Sequence, residues 1–249
     1  MFDEFADYYD RCFDRTSDTA FYCKLADERA VSLLDLGCGT GAITIPMARR
    51  LIERSSGTVR IVGIDESHRM LQIARQREPE IKWVLGDMRA PPISGAFDLV
   101  ICSFNGLQLL LSDEDLVRSL RYVHDSLAND GIFAFDIYNP NLEFLNASHP
   151  ERRVRLLMDP QGRWLEVIER GKYDSSSRIL MSYWHLLEQG ATETPPIARL
   201  CVPLRQYFPE EIERVLCAAH LTIRERYGDF DHSPFTPSSK HQIVVCSPS

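Results

Sequence analysis

Three glycines at alternate positions, Gly37, Gly39 and Gly41, follow an apolar segment that contains an acid at Asp35. Glycines let the backbone turn sharply where side chains would collide. The residues after the turn, 42–48, have the composition of a helix start. Such a turn leaves bare N–H groups at a helix N-terminus, where a ligand can lie against them. The pattern therefore predicts a ligand-binding loop.

The acid at Asp35 separates two classes of ligand. Residues 37–42 also satisfy the loose dinucleotide pattern G-x-G-x-x-G/A, which alone is a weak signal. A carboxylate two residues before the first glycine would sit close to a pyrophosphate, and like charges repel. The same carboxylate suits a ligand that carries an ammonium group and no phosphate. The residues around the loop thus favour such a ligand over a dinucleotide.

Two further acids stand where predicted strands end. Residues 59–64 have a strand pattern that ends at Asp65, and residues 81–85 have another, followed by Gly-Asp-Met at 86–88. An acid at a strand end can accept both hydroxyls of a ribose, each charge-assisted bond contributing about 1.5–3 kcal/mol. The second acid can accept an adenine amino group while the next backbone N–H meets a ring nitrogen. Asp65 alone does not discriminate, because nicotinamide enzymes also use a ribose acid.

In this order, the glycine loop and the two acids closely resemble the class I S-adenosylmethionine-dependent methyltransferases. The resemblance continues through residues 96–102 and 129–136, which match the family's fourth and fifth strands, and covers about residues 30–138 and 207–247. It implies S-adenosyl-L-methionine as the cofactor, with Asp35 and the glycines at its methionine moiety, Asp65 at its ribose, and Asp87 with Met88 at its adenine. The cofactor-binding residues implied are Tyr9, Asp35, Gly37, Cys38, Gly39, Gly41, Asp65, Glu66, Met70, Gly86, Asp87, Met88 and Ser103. An ordinary helix-core role is an equal alternative for Met70.

A looser resemblance links the chain to the subgroup of aminosugar and glycine N-methyltransferases. It rests on residues 205–212, on residues 227–231, and on residues 5–10, which match that subgroup's cofactor-covering segment. It implies that Tyr8 or Tyr9 closes over the methionine end of the cofactor. Simple packing of an N-terminal helix is an equal alternative.

Candidate catalytic residues come from the ends of the fourth and fifth strands, where ligands of open α/β sheets bind. Asn105 and Tyr138 are predicted to orient the nucleophile by hydrogen bonds. Asp136 either attracts an ammonium group or acts as a base, and an ordinary loop cap is an equal alternative. His185, in the segment after the fifth strand, is a candidate general base. No catalytic motif is obligatory, because methyl transfer from a sulfonium depends mainly on placement of the acceptor.

Strand and helix patterns alternate from about residue 20 to 138, which predicts a parallel sheet with helices on both faces. The resemblance implies a Rossmann-like, mostly parallel sheet of seven strands. Four strand patterns within residues 154–206 are joined by turns without helical crossovers, which predicts an antiparallel meander. We therefore expect an α/β core over residues 1–139 and 207–249, and an inserted β lid or substrate platform over residues 140–206.

Composition indicates a self-contained globular enzyme of 249 residues with a net charge of −8. That charge has the wrong sign for binding a phosphate backbone, so no nucleic acid partner is expected. The acidic N-terminus is unlike a secretory signal, and no apolar run is long enough to span a bilayer. The seven scattered cysteines and the seven histidines lack ligand spacing, so we expect reduced thiols, a cytoplasmic protein and no metal.

The sequence thus predicts a methyltransferase that acts on a small-molecule acceptor at nitrogen, by in-line SN2 displacement in a lid-covered pocket. Transfer to oxygen is the first alternative, and a protein or RNA methyltransferase is the second. A nicotinamide-dependent oxidoreductase and a binding protein without turnover are less favoured. The acceptor's identity and the oligomeric state are left open.

Overall fold

The computed structural model describes residues 1–13, 15–29, 31–147, 149–190 and 195–249. Its larger sheet has seven strands in the order β10-β11-β5-β4-β1-β2-β3. Strands β1 to β5 are mutually parallel, whereas β11 runs antiparallel to β5, and β10 antiparallel to β11. The strands are β1 (Ser32–Leu36), β2 (Arg60–Asp65), β3 (Lys82–Leu85), β4 (Phe97–Cys102), β5 (Leu127–Tyr138), β10 (Leu221–Tyr227) and β11 (His241–Pro248). This confirms the predicted fold class.

Helices cover both faces of this sheet, which is why its central strands are apolar on both sides. One face packs against α5 and α7, and the other against α2, α3 and α4. The helices are α1 (Ala6–Cys12), α2 (Thr16–Arg29), α3 (Thr44–Arg54), α4 (His68–Arg77), α5 (Asp113–Ser126), α6 (Leu142–Asn146) and α7 (Pro209–Ala218). Capping serines begin two of them, because Ser67 accepts from the Met70 N–H and Ser112 from the Asp115 N–H. None of the helices in the described ranges is long and apolar enough to cross a membrane.

A second sheet of four antiparallel strands lies in the chain between β5 and α7. The strands are β6 (Arg152–Met158), β7 (Trp164–Asp174), β8 (Ile179–Glu188) and β9 (Ala198–Arg205). They pair in sequence order, as the meander pattern predicts. We call this four-stranded sheet the lid sheet. The predicted boundaries of the core and of residues 140–206 as one domain stay a prediction.

The N-terminal helix α1 packs against the lid sheet. Phe5 and Cys12 are buried in one cluster with Leu165 and Val167 of β7 and Leu200 of β9. These lid residues alternate along their strands, so they share the inner face of the sheet. Residues 1–13, which are predicted to belong to the core, thus also contribute Phe5 and Cys12 to the apolar cluster under the lid sheet.

The carboxyl ends of β1 to β5 meet at one edge of the larger sheet, because these strands are parallel. The glycine loop follows β1, Asp65 ends β2, and Gly86 follows β3. Ser103 follows β4, and Tyr138 ends β5. Residues from five separate segments are thereby brought to the edge where open α/β sheets bind ligands.

Candidate active site

A cavity of about 940 Å³ lies between this edge, α1 and the lid sheet. Of the residues expected to bind the cofactor, eleven line it: Tyr9, Gly37, Cys38, Gly39, Asp65, Glu66, Met70, Gly86, Asp87, Met88 and Ser103. Asn105 and Tyr138 line it as well. The cavity therefore joins the predicted cofactor residues to two of the three predicted catalytic residues.

The glycine loop contains two kinds of glycine. A Cβ added at Gly39 would meet no atom within 4 Å, so this part of the loop is open to the cavity. At Gly41 a Cβ would lie 2.8 Å from the Trp83 ring, and Gly41 does not line the cavity. Both glycines have positive φ, +55° and +78°. Gly39 thus leaves room for a ligand, whereas Gly41 permits close packing of the loop on β3.

Asp35 lies below the loop and not on the cavity surface. Its carboxylate is fully buried, and Oδ2 accepts a hydrogen bond of 2.6 Å from the Thr44 hydroxyl. No described atom bonds to Oδ1. Burial raises the pKa of Asp35 to about 7. A buried carboxylate oxygen without a partner is costly, so Oδ1 fits a donor that a ligand brings. Binding of the methionine moiety by Asp35 stays a prediction.

Asp65 ties the end of β2 to the glycine loop. Its Oδ2 accepts from the Gly39 N–H at 2.8 Å, and its Oδ1 accepts from the Ser67 N–H at 2.8 Å. Burial raises its pKa, while these two N–H groups act in the opposite direction. Each carboxylate oxygen has a second lone pair, so both can also accept from a ligand hydroxyl.

Arg89 holds the acid that follows β3. Its Nε lies 3.0 Å and 2.9 Å from the two carboxylate oxygens of Asp87, and this pairing lowers the Asp87 pKa. Arg89 also contacts Asp115 of α5 at 3.2 Å. Arg89 is not among the predicted site residues, although its position two residues after Asp87 permits the fork geometry that arginine makes with a carboxylate.

The N-terminal segment adds aromatic rings and a cation to the cavity. Tyr9 and Phe13 have ring centroids 4.8 Å apart, and Phe13 lies 5.5 Å from Phe104 and 4.9 Å from Trp184. Arg15 lies 3.9 Å from the Phe104 ring centroid and lines the cavity. Arg15 is not among the predicted site residues, since no motif surrounds it. Whether Tyr9 covers a bound cofactor stays a prediction.

The helix α1 is fixed to the glycine loop by charged groups. Asp10 accepts from the Thr40 hydroxyl at 2.8 Å and also pairs with Arg77 of α4. Asp7 pairs with Arg69 at 2.6 Å. These contacts hold α1 as one wall of the cavity.

A strained turn carries the predicted catalytic Asn105. Phe104 and Asn105 both have positive φ, +55° and +62°, which is uncommon for residues other than glycine. The Asp136 carboxylate stabilises them by accepting from the Phe104 N–H at 2.8 Å and the Asn105 N–H at 3.3 Å. It also accepts from the Tyr22 hydroxyl at 2.7 Å. Asp136 does not line the cavity, so the loop-cap alternative describes its position, and the alternatives of an ammonium partner or a base do not.

A hydrogen bond joins the Asn105 side chain to the backbone of Tyr138. Asn105 Oδ1 accepts from the Tyr138 N–H at 2.8 Å, which leaves the Asn105 amide N–H groups as donors. Desolvation raises the pKa of Tyr138, and the negative charges of Asp136 and Glu169 raise it further. The Tyr138 hydroxyl is therefore a neutral hydrogen-bond group at neutral pH.

The structure does not bring His185 into the cavity. Successive side chains of a strand point to opposite faces, and in β8 the lining residues are Leu180, Ser182 and Trp184. His185 is directed to the outer face, where it pairs in register with Ile168 and Arg199. A role as general base requires contact with the acceptor, and this placement does not provide it. Within the described ranges, no three His, Cys, Asp or Glu side chains form a metal-binding group.

Comparison with known proteins agrees with this geometry. Residues 33–131 match the family model described as the methyltransferase domain. The chain carries an S-adenosylmethionine-dependent methyltransferase domain. S-adenosylmethionine is the cofactor of this domain, and the open Gly39 and the unpaired Asp35 oxygen fit its methionine moiety.

Two curated relatives show how far the sequence similarity reaches. The chain is 32% identical over 126 residues to trans-aconitate 2-methyltransferase of Azoarcus sp. (strain BH72), covering 43% of this chain and 47% of the relative. It is 34% identical over 116 residues to dTDP-3-amino-3,6-dideoxy-alpha-D-glucopyranose N,N-dimethyltransferase of Streptomyces fradiae, covering 47% and 43%. The chain thus spans about half the length of these curated relatives.

A solved structure shows the same fold over nearly the whole chain. It is CalS10, an amino pentose methyltransferase from Micromonospora echinaspora, solved with S-adenosylmethionine bound. The TM-score is 0.74, the identity is 21%, and the match covers 98% of this chain and 95% of that one. The fold similarity includes the lid sheet as well as the matched residues 33–131.

Proposed function

We propose that this chain transfers a methyl group from S-adenosylmethionine to a nitrogen atom of a small-molecule acceptor that binds under the lid sheet. One observation carries the proposal: a single cavity extends from the glycine loop to the lid sheet. Its volume of about 940 Å³ is near the upper end of the range of about 300–1,000 Å³ for small-molecule sites. It therefore has room for an acceptor beside the cofactor.

The residues at the larger sheet's edge are those that would hold the cofactor. The Gly39 segment and the free Asp35 oxygen suit the methionine moiety, Asp65 the ribose hydroxyls, and Asp87 with Met88 the adenine. When bound, S-adenosylmethionine supplies a methyl group that its sulfonium already makes electrophilic. What remains for the protein is placement of the acceptor and exclusion of water, and positioning contributes up to about 7–11 kcal/mol in favourable cases.

Residues on both walls of the cavity would position the acceptor. Asn105 and Tyr138 offer hydrogen-bond groups from the core, while Trp184, Leu200 and Val202 offer apolar surface from the lid sheet. This apolar wall supports a site from which water is displaced when the acceptor binds. Apolar lining with a few polar groups is typical of small-molecule sites.

Transfer to a carboxylate oxygen is a second candidate, which Lys240 and His241 favour because both line the same cavity. A cation near the acceptor end would attract an anionic acceptor. One relative, from Azoarcus, is a trans-aconitate methyltransferase, and another, from Streptomyces fradiae, is an aminosugar N,N-dimethyltransferase. The two relatives thus do not separate nitrogen from oxygen.

The test is methyl-labelled S-adenosylmethionine with a cell extract that is split by ultrafiltration after the reaction. We expect label in the small-molecule fraction, and mass spectrometry of the product to place the new methyl group on nitrogen. Asp65→Ala is the control for transfer that depends on this site. If the product were a methyl ester or a methyl ether, the methylated atom would be oxygen and not nitrogen. Label found only in protein or RNA would contradict a small-molecule acceptor.

A further inference from the structure

We infer that Glu169 binds the acceptor's amino group from the lid side, so that the acceptor is an amine that enters the cavity as a cation. The inference rests on the proposed function and adds the charge of the acceptor to it. It is carried by the position of one carboxylate, by what holds that carboxylate, and by the position of the other carboxylates in the cavity.

Glu169 lies on the inner face of the lid sheet. In β7, Leu165 and Val167 are fully buried on that face, and Glu169 follows at the same two-residue spacing. Glu169 lines the cavity from the lid sheet, and Tyr138 lines the opposite wall at the end of β5. The charge of Glu169 acts on the Tyr138 hydroxyl, in addition to desolvation and the charge of Asp136. Glu169 thus faces the core wall on which the predicted acceptor-orienting residues lie.

Arg152 holds Glu169 in place. Arg152 Nη2 lies 2.9 Å from Glu169 Oε2, and the Arg152 side chain is 67% exposed, against 23% for Glu169. The arginine therefore approaches from the rim, and the carboxylate lies deeper. One hydrogen bond to an arginine leaves lone pairs on both carboxylate oxygens, which are available to a ligand N–H.

The other carboxylates that line the cavity lie at the cofactor end, at or beside the ends of β2 and β3. Asp87 and Asp115 are both paired with Arg89. Asp65 accepts from two backbone N–H groups beside the glycine loop, and Glu66 adjoins it. Among the described residues that line the cavity, Glu169 is the acid on the lid side.

An ammonium group suits this position chemically. It donates a charge-assisted hydrogen bond to the carboxylate, and Trp184, the register partner of Glu169 on β8, adds an aromatic side chain to the same part of the cavity. As it enters the cavity, the ammonium loses one proton to the water that it displaces, and the resulting neutral amine still donates an N–H to Glu169. Its lone pair then forms a bond to the methyl carbon while the bond from that carbon to sulfur breaks, which leaves S-adenosylhomocysteine and a methylated ammonium group. Glu169 acts here as a binding residue and takes no proton.

The lid sheet supplies a matched control. Glu166 lies on the same strand, and its Oε1 is 2.9 Å from Arg153 Nη1. The exposures are also similar, 52% for Arg153 and 21% for Glu166. Neither residue lines the cavity. Glu169→Gln and Glu166→Gln therefore remove the same charge from similar ion pairs, of which one faces the cavity.

The experiment measures binding of benzylammonium, benzyl alcohol and benzoate by isothermal titration calorimetry to protein saturated with S-adenosylhomocysteine. We expect benzylammonium to bind about tenfold or more tightly than benzyl alcohol, as a charged hydrogen bond predicts. Glu169→Gln should remove that preference, and Glu166→Gln should keep it. Unchanged affinity for S-adenosylhomocysteine shows that each variant is folded.

Three binding results would overturn the inference: no binding of benzylammonium to the unmodified protein, an undiminished preference in Glu169→Gln, or tighter binding of benzoate. The last result would assign the acceptor end to Lys240. None of these measurements requires turnover, so they are independent of the labelling experiment. Label transfer to a neutral or anionic small molecule would leave the proposed enzyme class intact while contradicting a role for Glu169.

Discussion

The two ends of the cavity are built from different kinds of structure. At the cofactor end, backbone N–H groups and acids lie within a few residues of strand ends, as with Gly39 and Asp65. At the acceptor end, side chains of the lid sheet such as Trp184 and Glu169 face the ends of β4 and β5 across the cavity. The first end is thus encoded in short segments, and the second depends on pairing between distant segments. Relatives with different acceptors can share the first end and differ in the second.

Asp136 anchors the turn after β4 that carries Asn105, and its removal should have the largest effect. Asp136→Ala leaves the Tyr22 hydroxyl and the Phe104 and Asn105 N–H groups without their acceptor. We expect a loss of about 3 kcal/mol or more in the free energy of unfolding, because each donor that loses its acceptor costs about 1–3 kcal/mol. Urea unfolding measures it. Tyr22→Phe removes one bond and should cost about 1 kcal/mol. Equal stability of Asp136→Ala and the parent would contradict the role of the carboxylate.

Asp65→Ala should affect the cofactor end alone. The change removes the acceptor of the Gly39 and Ser67 N–H groups and the predicted ribose contact. We expect S-adenosylhomocysteine to bind more weakly by about 1.5–3 kcal/mol, the range for charged hydrogen bonds. Calorimetry provides the dissociation constant, with Glu53→Ala on the exposed surface of α3 as the control. An unchanged constant would remove Asp65 from the cofactor site.

The raised pKa of Asp35, at the cofactor end, predicts that the free energy of unfolding depends on pH. Its pKa is raised from 3.8 to about 7 by burial, so the folded chain holds a proton that the unfolded chain has released. Stability from this group is therefore present below about pH 4 and is lost as pH rises toward 7. Relative to Asp35→Asn, the free energy of unfolding without cofactor should fall by about 1 kcal/mol per pH unit between pH 5 and 6. Parallel curves for the two proteins would contradict this.

The smallest effect is expected at His185, on the outer face of the lid sheet. His185→Gln should leave the rate of methyl transfer within about twofold of the parent, as for a surface substitution away from the site. The product assay at several pH values measures it. A loss of the high-rate limb of the pH profile would contradict the outward placement and restore His185 as a base.

Much of the cofactor end could be predicted from the sequence because its signals are local. The alternate glycines, Asp65 and Asp87 are recognisable by spacing, and the strand patterns before them predict which edge they share. The lid strands were also predictable, since their turns and alternation are short-range features. The pattern did not show the irregular start of β5, which begins at Leu127 with a register shift before Ile132.

The acceptor end was harder to predict because its contacts join distant residues. His185 is predicted as a base from the chemistry of its side chain. Because it directly follows Trp184 in β8, it lies on the opposite face of the lid sheet. Glu169 gave no motif, and its significance depends on Tyr138, 31 positions earlier in the chain. Arg15 gave no motif either, and it reaches the cavity beside the Phe104 ring, 89 positions later in the chain.

The most direct test is a crystal structure of the chain with S-adenosylhomocysteine. We expect the ribose on Asp65, the adenine beside Asp87 and Met88, and the sulfur directed into the cavity toward Tyr138 and the lid sheet. This would show one site with a cofactor end and an acceptor end. A cofactor bound elsewhere, or with its sulfur directed away from the lid sheet, would contradict methyl transfer in this cavity.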